Sequence, residues 1–252
     1  MLLEGRVAII TAGAGAGIGR AVATRFLEEG AEVMLTDIHP RRTPETAAEL
    51  SKAFGREVPW MLVDVTRRAQ IEAAVEKTVK RFGRIDILFN NAGINKLEHL
   101  WECKDETWDL VLNICLRGTF WMMRAVLPQM IKQGGGVIVN MASAAGWIAS
   151  RDGEAPYCAA KAGVMGLTRA ASAEVARKGI RVNAIAPGVI YNEFLERIYP
   201  PKMFEAAKKQ NPLGRLGEPR DVANLALFLA SDLSSYITGE VVSISGGAVV
   251  VP

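Results

Sequence analysis

Histidine and cysteine are scarce in this chain of 252 residues, which carries two of the first and three of the second. The cysteines (Cys103, Cys115 and Cys158) are odd in number, and none stands at metal-ligand spacing from another. Neither a disulfide framework nor a metal site is expected, and the thiols read as reduced, as they are in the cytoplasm. His39 and His99 lie in loop-like stretches rather than at strand ends, so a histidine-centred proton relay is not expected either. A nucleophile elbow and a P-loop lysine are both missing. No apolar run approaches the roughly 18 residues that cross a bilayer. The opening MLLEGRVAII puts no basic stretch before a long apolar one, so neither a span nor a signal peptide is expected. An excess of one charge is also missing: 30 Lys and Arg face 27 Asp and Glu, for a formal +3. The pairs Arg41-Arg42, Arg67-Arg68 and Lys208-Lys209 stand far apart, unlike the basic stripe of a nucleic-acid surface.

Hydrophobic residues make up 50% of the chain and gather into short Val- and Ile-rich runs. The runs at 7–10, 32–36, 59–63, 85–90, 136–142, 180–186 and 240–244 carry little charge and predict strands covered on both faces. Amphipathic stretches at 17–29, 43–54, 66–82, 105–133, 157–178 and 218–231 predict the helices between them. This alternation implies an α/β fold with one parallel sheet and helices on both sides. No repeat or linker divides it, so residues 1–252 are expected to form one domain. The interval 188–217 breaks the rhythm, with Pro200-Pro201 and an amphipathic piece but no strand. Its length predicts a lid or binding element, with a surface helical hairpin as the alternative.

TAGAGAGIGR, residues 11–20, joins the first strand to the first helix. Gly13, Gly15, Gly17 and Gly19 permit close backbone approach, and a helix N-terminus offers unpaired N–H groups to a phosphate. The spacing is Gly13-x-x-x-Gly17-x-Gly19 rather than G-x-G-x-x-G, and small-residue turns also exist for packing alone. Asp37 strengthens the nucleotide reading. It ends the second strand about 20 residues on, where a carboxylate accepts hydrogen bonds from the adenosine ribose and repels a 2′-phosphate. That favours NAD, while Arg41 and Arg42, read as solvated charges at a helix start, leave NADP open. Downstream, Tyr157 and Lys161 are four apart and share a helix face. Ser143 follows the strand 136–142, at the edge where open α/β sheets bind ligands. A phenol of pKa about 10 is a weak acid–base catalyst at neutral pH, and a nearby ammonium lowers that value. Together with a hydroxyl that polarises a carbonyl, the pair makes a proton-transfer unit.

In order along the chain stand Gly13-x-x-x-Gly17-Ile18-Gly19, Asp37, DV at 64–65, NNAG at 90–93 and LN at 112–113. NMAS at 140–143, YCAAK at 157–161, APG at 186–188 and YITGEVVSISGG at 236–247 follow. On these motifs the chain resembles the short-chain dehydrogenase/reductase family from residue 5 to about 247. The resemblance implies a single-domain, Rossmann-type doubly wound sheet of about seven strands and a nicotinamide cofactor, NAD or NADP. It also implies hydride transfer between a secondary alcohol and a ketone. Carried over residue by residue, Tyr157 is the general acid/base and Ser143 holds the substrate oxygen. Lys161 lowers the tyrosine pKa and holds the nicotinamide ribose, and Asn113 holds a water of the proton relay. Asp64 and Val65 would flank the adenine, Asn91 and Gly93 would line the cofactor cleft, and Pro187, Gly188 and Val189 would border the nicotinamide. No metal is implied. A cytoplasmic homotetramer joined through helices 105–133 and 157–178 and the C-terminal segment completes the family expectation.

Length and C-terminal signature are similar to those of 3-oxoacyl-(ACP/CoA) reductases and hydroxyacyl-CoA dehydrogenases. DIHPRR and NEFLE are similar to stretches of reductases that act in sterol-ring or alicyclic acyl-CoA breakdown. Dehydrogenases of sugars, aryl alcohols or steroids share the frame, as does a cofactor-binding sensor without turnover. The chain departs from the family pattern in three places. One extra residue separates Thr11 from Gly17-Ile18-Gly19, Asn192 stands where threonine is common, and Ser245 stands where aspartate is frequent. The lid residues Phe194, Leu195, Ile198, Tyr199, Met203 and Phe204, together with Trp147, imply a substrate with an apolar body if they face the cleft.

Overall fold

Strands covered on both faces must divide their side chains between two cores, and these do. The computed structural model describes residues 1–150, 152–192 and 195–250. Among them are β1 (Val7–Ile10), α1 (Ile18–Glu28), β2 (Glu32–Asp37), α2 (Arg42–Phe54), β3 (Trp60–Leu62), α3 (Arg68–Phe82) and β4 (Ile87–Asn90). There follow α4 (Asp105–Leu112), α5 (Gly118–Gln133), β5 (Gly136–Met141), α6 (Ala155–Val175), β6 (Ile180–Pro187), α7 (Pro201–Gln210), α8 (Pro219–Ala230) and β7 (Val241–Ile244). Seven parallel strands form one sheet in the order β3-β2-β1-β4-β5-β6-β7. Ile10, Phe89 and Val139 pack with α1, α2 and α8 on one face, while their neighbours Ile9, Leu88 and Ile138 pack with α3, α5 and α6 on the other. The strand order reverses between β1 and β4, so the connections leaving them part and open a crevice at the carboxyl edge.

The expected elements are present, with local differences. β3 is shorter than the run 59–63 because it lies at the sheet edge, where Trp60 and Leu62 stay exposed. α6 starts at Ala155 rather than 157, with Pro156 in the first turn, where proline's missing N–H costs nothing. The helix 105–133 forms without a break, but α4 and α5 are joined through a π turn, Asn113–Arg117. It is long and apolar enough to cross a membrane by length and composition, yet it packs here against α3, α6 and β4. Among its described residues the interval 188–217 has no strand. It consists of a short turn at Leu195–Arg197 and α7, and a single bridge from Ile190 to Gly217 draws its ends together.

A chain of amides runs under the crevice. Asn90 Nδ2 donates to Asn140 Oδ1 at 2.9 Å, and Asn140 Nδ2 donates to Thr168 Oγ1 at 3.0 Å, all three residues being buried. The bonds tie β4, β5 and α6 together. Replacing Asn140 by alanine leaves the Asn90 amide with only its longer bond, 3.4 Å, to the Thr119 carbonyl, and frees the Thr168 hydroxyl oxygen. It is expected to cost about 2 kcal/mol, read by thermal unfolding as a fall of roughly 4–8 °C in Tm.

Candidate active site

The glycines at the end of β1 are there because three chain segments meet within contact distance. A Cβ on Gly13 would lie 2.4 Å from Leu35 Cδ1, and one on Gly19 would lie 2.1 Å from the Ala12 carbonyl oxygen. Gly17 is different: a Cβ there meets nothing within 4 Å. Gly17 is the N-cap of α1, with no side-chain cap and no acidic residue in the first turn. An uncapped, open helix N-terminus suits the pyrophosphate of a dinucleotide. The extra residue of the loop is absorbed by Ala12, whose φ of 50° is the only positive one outside glycine among the described residues. Its carbonyl accepts Asn91 Nδ2 at 3.1 Å, and Thr11 Oγ1 accepts the N–H of Asn91 at 2.9 Å.

Asp37 closes the other side of the loop. Its carboxylate accepts the N–H groups of Ala14 and His39, each at 3.0 Å, and it is held at the end of β2 with lone pairs left for ribose hydroxyls. Arg41 is a solvated charge, as expected, 3.7 Å from Glu45. Arg42 is not. Its side chain lies against Gly15, and its Nε is buried without a partner. Asp64 accepts the N–H and hydroxyl of Thr66 at 2.8 and 2.7 Å, while Val65 is buried against Gly118. Both follow β3, next to Asp37 along the carboxyl edge.

One cleft is lined by Asn91, Gly93, Ser143, Tyr157, Lys161, Pro187 and Gly188, with Ile18 at its inner end. Lys161 is buried, its Nζ donates to the Met141 carbonyl at 2.6 Å, and it lies 5.5 Å from the centre of the Tyr157 ring. Burial pushes Tyr157 well above the ordinary phenol range, Cys115 adds to this, and the Ser143 hydroxyl beside it pulls the other way. Burial also holds Lys161 below its ordinary value. In this arrangement burial is the largest influence on both groups, and the ammonium is engaged by the Met141 carbonyl. A phenol so placed is held as the acid. Val189 faces the other way, into a groove with Asn211 and Leu213.

The lid divides. Leu195, Ile198, Tyr199 and Asn192 line the cleft. Phe204 is instead buried and packs edge-on against Tyr191 at 5.7 Å, and Trp147 packs on a small cluster around Val164 and Met165. Phe194 lies outside the described residues.

Comparison with known proteins bears on this arrangement. A family model described as Enoyl-(Acyl carrier protein) reductase matches residues 13–249. A 3-oxoacyl-[acyl-carrier-protein] reductase of Thermotoga maritima is 46% identical over 250 residues, covering 99% of this chain and 100% of its own. The chain belongs to the short-chain dehydrogenase/reductase family. As such it is an NAD(P)-dependent oxidoreductase. The (5R,7aS)-5-hydroxy-7a-methyl-1-oxo-2,3,5,6,7,7a-hexahydro-1H-indene-carboxyl-CoA reductase of Mycobacterium tuberculosis is 44% identical, covering 97% of this chain and 93% of its own. The crystal structure of a short chain dehydrogenase from Mycobacterium smegmatis superposes with a TM-score of 0.85 at 41% identity, over 98% of this chain and 94% of the other.

In this short-chain dehydrogenase/reductase the fourth member expected from the motifs lies at the junction of α4 and α5. Asn113 opens the π turn and is not among the residues lining the cleft. Two residues on, and so about half a turn round the helix, stands Cys115. It is fully buried and packs with Tyr157 and Ala160. Its Sγ accepts the N–H of Ile94 at 3.4 Å and donates to the Ile94 carbonyl at 3.3 Å. Thr107, Val111, Cys115, Gly118 and Met122 form the buried stripe of this helix, and Asn113, half-buried, lies off it. Asn113→Ala is expected to hold kcat within about threefold, whereas Cys115→Ala loosens Ile94 beside Gly93 and lowers kcat by roughly tenfold or more; steady-state kinetics of the two variants compare them. A second expectation follows from the charge balance at Tyr157. Removing the Ser143 hydroxyl takes away a group that favours the phenolate. The residual alcohol oxidation of Ser143→Ala, which needs Tyr157 as base, should therefore rise at higher pH than in the wild type, as pH–rate profiles will show.

Proposed function

We propose that this enzyme reduces the 3-oxo group of an acyl thioester, carried by coenzyme A or acyl carrier protein, to a secondary alcohol, with NADH as the preferred donor. The observation that carries the reading is the placing of Ser143, Tyr157 and Lys161 together along a cleft that opens beside the glycine loop. The nicotinamide cofactor supplies the hydride. Tyr157, held protonated by burial, gives its proton to the carbonyl oxygen, and the Ser143 hydroxyl polarises that oxygen beforehand. Lys161, fixed on the Met141 carbonyl, keeps a donor and a positive charge behind them and offers its remaining N–H groups to the nicotinamide ribose. Asn91, Gly93, Pro187 and Gly188 form the walls against which the cofactor would lie, with Gly13, Gly17, Ile18 and Gly19 at its pyrophosphate. Asp64 and Val65 would stand by the adenine.

The fixed carboxylate of Asp37 supports NADH, and the unpaired Nε of Arg42 supports some use of NADPH. An acyl group that bears a ring is the second reading. It is favoured by the apolar wall of Ile190, Leu195 and Ile198 and by the indene-carboxyl-CoA named for the Mycobacterium tuberculosis relative. A homotetramer is supported by the exposed Trp101, Trp108, Phe120 and Ile131 along and just before the helix 105–133. A cytoplasmic setting is supported by three cysteines that are all free.

The test is oxidation of NADH and of NADPH with acetoacetyl-CoA. Turnover is expected with both, faster with NADH, and Tyr157→Phe should lower kcat at least about 100-fold while NADH binding stays within a few-fold. Reduction of simple ketones but not of the thioester would overturn the thioester reading. Equal rates in wild type and Tyr157→Phe would overturn the role of the tyrosine.

A further inference from the structure

One polar atom in the cleft wall lacks a partner. Asn95 Oδ1 is shut off from solvent and accepts no hydrogen bond. The Nδ2 of the same side chain donates to Glu154 Oε1 at 2.6 Å and to the Tyr199 hydroxyl at 2.8 Å. The Tyr199 hydroxyl in turn donates to Glu154 Oε1. A carboxylate oxygen accepts only, so turning the amide over would set acceptor against acceptor, and the orphan oxygen follows from the network itself.

Three separate segments make this cluster. Asn95 follows Gly93 and Ile94, the stretch held by Cys115; Glu154 precedes Tyr157 by three residues, at the N-cap of α6; Tyr199 comes from the lid. Asn95 and Tyr199 line the same cleft as Ser143 and Tyr157. With the Tyr199 hydroxyl in place both Nδ2 hydrogens are spent, and the groups left over, the Glu154 carboxylate and the shielded Asn95 Oδ1, are acceptors. A substrate carboxylate or phosphate would be repelled there, whereas a hydroxyl would satisfy both sides. The Tyr199 hydroxyl occupies the place that such a group would take, accepting from Asn95 and donating to Glu154.

We propose that Asn95 and Glu154 form a second polar subsite that takes a hydroxyl carried by the substrate away from its reacting carbonyl, the lid's Tyr199 hydroxyl holding that place until the substrate arrives. The proposal rests on the carbonyl-reducing reading of the cleft and not on the thioester. The experiment compares kcat/KM for cyclohexanone and 4-hydroxycyclohexanone, and for acetoacetyl-CoA and its 4-hydroxy derivative. The wild type is expected to favour the hydroxylated member of at least one pair by about 10- to 100-fold. In Asn95→Ala and Glu154→Ala that ratio should collapse to about one, whatever happens to the absolute rates. In Tyr199→Phe it should persist, since the stand-in is lost and the acceptors remain. NADH binding by fluorescence confirms that each variant is folded. A wild-type ratio near one in both pairs would overturn the subsite, as would variants that slow both members equally. Reduction of the ketones without the thioesters would fail the thioester reading alone and leave the ratio readable. No reduction of any of the four would sink the carbonyl reading and the subsite together.

Discussion

A single buried ammonium sets the spacing of the cleft. Lys161 is 3% exposed, and its Nζ rests on the Met141 carbonyl at 2.6 Å. A cation taken out of water needs acceptors, so the second turn of α6 must lie where it can reach the last residue of β5. That fixes Tyr157 one turn earlier on the same helix face, and Ser143, two residues past Met141, is brought beside it. The contact that makes the lysine tolerable therefore also sets the distance between the acid and the hydroxyl. The amide chain from Asn90 through Asn140 to Thr168 keeps the same three elements from sliding.

Around that contact the cleft is graded in polarity. At the inner end, the N-terminus of α1 offers bare N–H groups and no acid. In the middle stands a phenol that burial keeps protonated. At the outer end, Glu154 and Asn95 gather acceptors under the lid. Phosphate, carbonyl and hydroxyl chemistry thus occupy successive parts of one groove, and each is set by the elements that supply its side chains.

The sheet, its two covering layers and the glycine loop were legible because local signals carry them. Short Val- and Ile-rich runs that alternate with amphipathic stretches point to a parallel sheet, and Tyr157 and Lys161 at helical spacing share one face. Asn113 is legible only through its motif, since the buried stripe through Val111, Cys115 and Gly118 does not include it. Arg42 was read as a surface charge because nothing local shows that Gly15 leaves room for its side chain. The Asn95, Glu154 and Tyr199 group is assembled from residues up to 104 positions apart, and no periodicity joins them. Sequence patterns convey what one element does to itself; contacts among loops depend on the assembled fold.

The lid and the floor of the groove differ in how firmly they are rooted. α7 buries Phe204 alone among its residues, and among its described residues the 188–217 interval has one bridge, Ile190 to Gly217. The floor is built from strands at the centre of two cores. Regions with few buried contacts open at much lower free energy than the whole molecule. Warming or mild denaturant therefore releases the lid while the sheet still exchanges its amide hydrogens slowly. Such a protein loses its hold on substrate before it loses its fold, and retains its grip on the nucleotide longest, because the glycine loop belongs to the floor.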